Sequence, residues 1–246
     1  MPPDVDQQVT DYILRLVGAT PETKFLELGV GTGLNAIPII QRGYSYTGVD
    51  ISWEMMNQLR YKLQGVPNNL TLIQADASSL SFADNCFDVA FMRHVLHLIP
   101  EWRSALSEIR RVLKPNGFYL YCETFLTPHQ KEFEQQWRAI LEQEGYQKPS
   151  YDGDRANVED VKNWWNEQGA AVETVVAAKW RVEQTVGELL EIYQTRPYGS
   201  CWLVPDAVFP SAIRDFRAWC QKHYGSFDVL LSSDATFDIT LALTLT

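Results

Sequence analysis

The spacing of hydrophobic positions changes several times along the chain. Val5, Val9, Tyr12, Ile13, Leu16 and Val17 recur at helical intervals and predict an amphipathic helix closing near Gly18. Short apolar runs then alternate with helical patterns. Strands are predicted at 24–28, 46–50, 70–76, 87–93 and 118–123, with helices at 34–41, 53–63 and 101–113. Ser52 is placed to cap the second of these helices, and Pro115 and Gly117 stop the third. Strands separated by helices of this length imply crossover units and a parallel sheet.

After Glu123 the rhythm changes. Helices at 129–143 and 158–168 follow each other with only the loop 145–157 between them. A strand at 172–182, helices at 187–194 and 211–223, and a closing strand at 237–245 complete the chain. In the last strand Phe237, Ile239, Leu241, Leu243 and Leu245 alternate with mostly polar residues, which suits a strand with one face less buried. The 246 residues lie between one and two domains' worth. The expected organisation is one α/β domain over 1–246, with helical lid insertions at about 125–168 and 187–233, before and after the sixth strand. Of eight tryptophans, six follow Glu123, so the aromatic surplus falls mainly in these insertions. Trp137, Tyr151, Trp164, Trp165, Tyr198, Trp202 and Trp219 are among them. Most are expected to pack the inserted helices, but adjacent Trp164 and Trp165 must face different ways, and at least one is a candidate to reach a cleft or a partner.

Charge narrows the class of partner. With 21 basic and 31 acidic residues the formal net charge is -10, and no run of Lys or Arg interrupts the excess. Nucleic acids and anionic membranes are bound mainly by neutralising phosphate charge, so neither is expected, and a small-molecule partner is. Cys86, Cys122, Cys201 and Cys220 are far apart with no CxxC pair, and no secretory leader is read, which suits a reduced cytoplasmic protein without a metal site. The apolar runs are too short for a membrane span.

The chemistry gathers at strand ends. Glu27, Gly29, Gly31 and Gly33 close the first strand in a turn where glycines let backbone approach a ligand, and the next helix offers its positive N-terminus. The stretch 31–36 also satisfies the dinucleotide pattern GxGxxA, which keeps a nicotinamide-dependent reductase as a rival reading. Glu27 argues against it, because an anion beside the loop repels a pyrophosphate and attracts an ammonium group. Asp50 closes the second strand, where a carboxylate accepts both ribose hydroxyls. Asp76, followed by Ala77, closes the third, where one accepts the adenine amino group. Together they describe a ligand with an adenosine, a cationic head and no phosphates. Arg93 and His94 close the fourth strand and Glu123 the fifth. His97 and Asp88 read as structural, and Glu108, Arg110, Arg111 and Lys114 as a solvated helix face with local ion pairs.

These segments, 25–33 (FLELGVGTG), 47–52 (TGVDIS), 74–77 (QADA), 82–91 (FADNCFDVAF), 93–98 (RHVLHL) and 108–118 (EIRRVLKPNGF), come in one order. In this the chain resembles the class I S-adenosylmethionine-dependent methyltransferases of the type 11, small-molecule group. The resemblance implies a Rossmann-like seven-stranded, mostly parallel sheet with an antiparallel last strand and helices on both faces. It implies that S-adenosyl-L-methionine is the cofactor and S-adenosyl-L-homocysteine its product. Glu27, Gly29, Gly31 and Gly33 would lie beside the methionine moiety, Asp50 with Ile51 at the ribose, and Asp76 with Ala77 at the adenine. Arg93 is a candidate for the cofactor carboxylate, and His94 and Glu123 are candidate general bases toward an unidentified small-molecule methyl acceptor. A non-catalytic module that binds the cofactor is the other alternative. Val30 stands where the family often has Cys or Ser, and Pro38 falls early in the first crossover helix, where it would shift the helix start.

Overall fold

The computed structural model describes residues 2–124, 126–146, 156–196 and 204–244, so Tyr151, Tyr198, Cys201, Trp202 and Leu245 lie outside the described residues, as does the side chain of Glu123. Helix α1 (Pro3–Leu16) opens on a proline whose fixed φ suits a first turn, sets Asp4 and Asp6 at its positive end, and buries Val5, Val9 and Ile13. The chain then runs β1 (Lys24–Leu28), α2 (Ala36–Gln41), β2 (Ser45–Asp50), α3 (Trp53–Lys62), β3 (Leu70–Gln74) and β4 (Phe87–Arg93). After a 3₁₀ turn at Leu96–Leu98 come α4 (Trp102–Val112), β5 (Leu113–Thr124), α5 (Pro128–Gln143), α6 (Val158–Glu167), β6 (Ala171–Thr185), α7 (Val186–Gln194), α8 (Phe209–Tyr224) and β7 (Leu230–Leu243).

The seven strands form one sheet in the order β3-β2-β1-β4-β5-β7-β6. The pairings β1 with β2 and β4, β2 with β3, and β4 with β5 are parallel, while β5 meets β7 antiparallel, Glu123 opposite Asp238. The expected mostly parallel sheet with an antiparallel last strand is therefore present. The chain winds outward from β1 through β2 to β3, then returns to β4 on the other side of β1. That reversal leaves an open crevice at the carboxyl ends of β1 and β4, where ligands of such sheets bind.

Local chemistry explains the element boundaries. Ser52 caps α3 as expected, its Oγ accepting from Met55 N at 3.2 Å. Helix α2 starts at Ala36 rather than Leu34, and Pro38 is its third residue, a position whose N–H has no intrahelical acceptor to lose. Strand β5 begins five residues before its predicted start because Leu113 already pairs with Phe87, after which the ladder shifts register. Strand β7 also starts earlier, at Leu230. Its first half, with two serines and Asp234, lacks the apolar alternation that marks the second, and is joined to β6 by polar contacts such as Arg181 to Asp234 at 2.9 Å.

Contacts divide the chain into two compact units, Met1–Thr124 with Asp152–Ala178 and Thr236–Thr246, and Phe125–Tyr151 with Lys179–Ala235. In the first, Leu26, Leu28, Ala90 and Met92 pack with Leu106 and Ile109 of α4, and burying each Leu or Ile contributes roughly 1.5–3 kcal/mol. Helix α6, expected to be part of an insertion, belongs to this unit: Trp165 is fully buried and stacks on Tyr119 with ring centroids 5.1 Å apart. In the second unit α5, α7 and α8 enclose Phe133, Trp137, Leu189 and Phe216, with Phe133 and Phe216 edge to face at 5.7 Å. Much of the aromatic surplus is thus core.

Two polar features of the first unit have structural roles. Asp88 accepts from Lys24 N at 2.9 Å and from Lys114 Nζ at 2.7 Å, joining the starts of β1 and β5. Arg111 and Glu108 do more than the expected local pairing on a solvated face. Arg111 donates to the carbonyls of Leu80 and Phe82 and to Asp84, and Glu108 accepts from Leu80 N, so together they pin the loop leading into β4. Sequence spacing shows the pair at i and i+3, but not the carbonyls that the fold brings to it.

Candidate functional site

Nine of the predicted residues, Glu27, Gly29, Gly31, Asp50, Ile51, Asp76, Ala77, Arg93 and His94, line a single cleft of about 480 Å³ at the carboxyl ends of β1 to β4. That volume is typical of a small-molecule site. Leu34, Met55, Leu98 and Ile99 complete its apolar walls.

Gly29, Gly31 and Gly33 all take left-handed φ, and two of them also leave no room for a side chain. Gly29 has φ +73° and Gly33 φ +83°, a region that side chains disfavour. A Cβ on Gly29 would stand 2.5 Å from Val95 Cγ2, and one on Gly33 would run into Leu59 of α3. Gly33 does not line the cleft; it lets the loop pack tightly against α3. Gly31, by contrast, leaves ordinary space above it and faces the cleft.

Asp50 ties the loop to β2. One carboxylate oxygen accepts from Gly31 N and the other from Ser52 N, each at 2.8 Å. A carboxylate has about four acceptor positions, so two remain for a ligand. Asp76 is exposed, with Oδ1 accepting from Ser78 N at 2.8 Å and Ser78 Oγ at 2.7 Å, bonds that hold its carboxyl below the usual range. Ile51 is almost three-quarters exposed, an apolar side chain held open to the cleft.

Glu27 is buried at the end of β1, only 3% exposed. Its hydrogen-bond donors are neutral: Asn35 Nδ2 at 2.7 Å and Tyr46 Oη at 2.9 Å. Burial pushes its pKa up to about 7, against the lowering influence of those two bonds and of Arg93, while Asp50 adds to the rise. Arg93 donates from Nη1 to Asn35 Oδ1 at 2.9 Å and lies over the Phe237 ring at 4.8 Å. Neither Asn35 nor Tyr46 was among the sequence candidates. Asn35 carried a signal, being a polar residue at the head of the helix after the loop, but Tyr46 reads in sequence as an ordinary strand aromatic.

His94 sits in a left-handed backbone conformation, φ +53°, where β4 turns into the 3₁₀ segment. It lines the cleft and is exposed there. Lost hydration, then Arg93 and His97, push its pKa down to about 4, so it is neutral near pH 7. Glu123 lies in β5 opposite Asp238. Neither Trp164 nor Trp165 reaches the cleft: Trp165 is core, and Trp164 lines a separate groove with Arg110 and Lys114.

Residues 26–121 match the family model described as a methyltransferase domain. The demethylmenaquinone methyltransferase of Corynebacterium kroppenstedtii is 34% identical over 108 residues, 44% of this chain and 44% of that protein, so the match spans less than half of either. Among solved structures, YcgJ of Bacillus subtilis aligns with a TM-score of 0.62 at 16% identity over 97% of this chain and 98% of that one. Phosphoethanolamine N-methyltransferase 2 of Haemonchus contortus, in complex with S-adenosyl-L-methionine, aligns with a TM-score of 0.56 at 19% identity, over 97% of this chain and 52% of its own. The two structures share the fold. Among the described residues no helix is long and apolar enough to cross a membrane.

Proposed function

We propose that this chain, which carries a methyltransferase domain over residues 26–121, transfers a methyl group from S-adenosyl-L-methionine to a small-molecule acceptor. The observation that carries the reading is the buried Glu27, a carboxylate with neutral donors in the same cleft as Asp50 and Asp76. A pyrophosphate would be repelled there, whereas an α-ammonium group gives the carboxylate the opposite charge its burial calls for. Asp50 retains acceptor positions for ribose hydroxyls, Asp76 keeps Oδ2 for an adenine amino group, and Ile51, Ala77 and Ile99 supply apolar walls for a planar base. Arg93, which lines the same cleft, is the candidate to meet the amino-acid carboxylate. Among the described residues Cys86, Cys122 and Cys220 form no disulfide, which suits a cytoplasmic setting.

Bound S-adenosylmethionine supplies a methyl group already activated on a sulfonium. The chain's own task is to hold donor and acceptor in line and, for a protonated acceptor, to remove its proton. His94 and Glu123 are the candidates. With its proton affinity lowered, His94 suits holding an acceptor through hydrogen bonds better than taking its proton. Once labelled methyl transfer into an extract of the source organism has identified an acceptor, Glu123→Ala is expected to lower kcat more than His94→Ala. The wild-type kcat profile should then show no His94 inflection between about pH 6 and 7. The reverse order of effects would return the base role to His94.

A thermal-shift series tests the whole reading. Stabilisation by S-adenosylhomocysteine with none by NAD is expected, and stabilisation by NAD alone rejects it.

A further inference from the structure

Four side chains behind the glycine loop form one continuous run of hydrogen bonds, Tyr46 to Glu27, Asn35 to Glu27 and Arg93 to Asn35, with separations of 2.9, 2.7 and 2.9 Å. Tyr46, Glu27 and Asn35 are all buried. Asn35 spends its donor end on the carboxylate and its acceptor end on the guanidinium, so a reversed amide would set like poles together at both contacts. Resting on the methyl-donor reading above, we infer that Tyr46 and Asn35 are positioning residues that hold Glu27 for the donor's ammonium group and link it to Arg93.

The groups facing the Glu27 carboxyl are few. Tyr46 and Asp50 come from β2, Arg93 from β4 and Asn35 from the turn into α2. Arg93 in turn faces Asp6 of α1 and Cys122 of β5. Burial favours the protonated carboxyl up to about pH 7, against the pull of the two hydrogen bonds and Arg93. Near neutrality the ligand-free protein therefore holds Glu27 partly protonated. An incoming ammonium pairs only with the carboxylate, so the carboxyl proton leaves to solvent as the ion pair forms, and charge balances. Each donor bond to Glu27 favours the ionised form. Removing either one moves the ionisation to higher pH, whereas a side chain that merely filled space would alter affinity at every pH alike.

The test uses Tyr46→Phe and Asn35→Ala. The titration of the Glu27 carboxyl carbon is followed by NMR in ligand-free protein, assigned by its absence in Glu27→Gln. Each variant is expected to move the midpoint upward by about one pH unit. Calorimetry of S-adenosylhomocysteine binding near pH 7, in buffers of different ionisation enthalpy, should show fractional proton release in the wild type and a larger fraction in the variants. A midpoint that stays put in a folded variant of either kind overturns the inference, even where affinity falls. If the wild type fails to bind S-adenosylhomocysteine, the methyl-donor reading falls, and the NMR midpoints still decide the positioning roles.

Discussion

Glu27→Gln is expected to weaken S-adenosylhomocysteine binding about 10- to 100-fold while making the ligand-free protein more stable at pH 8. The two effects have one cause. A carboxylate buried among neutral donors pays for lost hydration, and only a cationic ligand repays it. Because the folded pKa is raised from 4.5 to about 7, the folded state binds more protons than the unfolded chain across that window. The contribution of Glu27 to stability therefore falls as pH rises from about 4.5 to 7 and stays at its lower value above, a loss on the order of 3 kcal/mol. Glutamine keeps the shape and carries no charge, with its oxygen accepting from Asn35 and its amide donating to the Tyr46 oxygen. The variant lacks this contribution while His94 titrates alike in both proteins, so the difference between the two urea-unfolding curves grows between pH 5 and 8. Coincident curves at pH 8 would reject the buried ionised carboxylate. 5′-Methylthioadenosine, which lacks the amino-acid end, should bind wild type and variant alike.

Asp50→Ala should fail in the complementary way, losing about 100-fold in affinity for both S-adenosylhomocysteine and 5′-methylthioadenosine, since both carry the ribose. Two hydrogen bonds to a charged acceptor disappear, each worth about 1.5 kcal/mol at this partly exposed carboxylate. The loop also loses the bridge from Gly31 N to β2, and Ser52 N its acceptor, so a moderate fall in Tm accompanies the loss. Asp50→Asn retains one acceptor and should fall between the two. Unchanged calorimetric affinity of Asp50→Ala for the nucleoside would remove Asp50 from the ribose role.

The site was legible where chemistry coincides with strand ends. Glu27, the glycine turn, Asp50 and Asp76 sit where short apolar runs stop, and parallel packing brings those stops to one edge. Tyr46 was hidden because a buried strand aromatic looks the same in sequence whether or not its hydroxyl meets a carboxylate. Asn35 was hidden because its two partners, Glu27 and Arg93, lie 8 and 58 residues away. Arg111 misled in the opposite direction: its local partner Glu108 was visible, whereas its carbonyl acceptors are about 30 residues distant. Helix α6 shows the same limit at larger scale. Its apolar stripe announces a helix, but nothing local says that Trp165 stacks on Tyr119.

By itself, then, the sequence determined the succession of elements, the parallel crossover sheet, and the acids and glycines at the strand ends, while the antiparallel closing strand was an expectation of the family resemblance. Periodicity, caps and turn residues are local, and local chemistry suffices for them. The tertiary structure alone decided the protonation tendency of Glu27 and His94, the orientation of Asn35 between opposite charges, and which tryptophans are core. Those properties depend on how much water is excluded and on which distant charges are brought within a few ångströms, quantities that exist only once the chain has closed on itself.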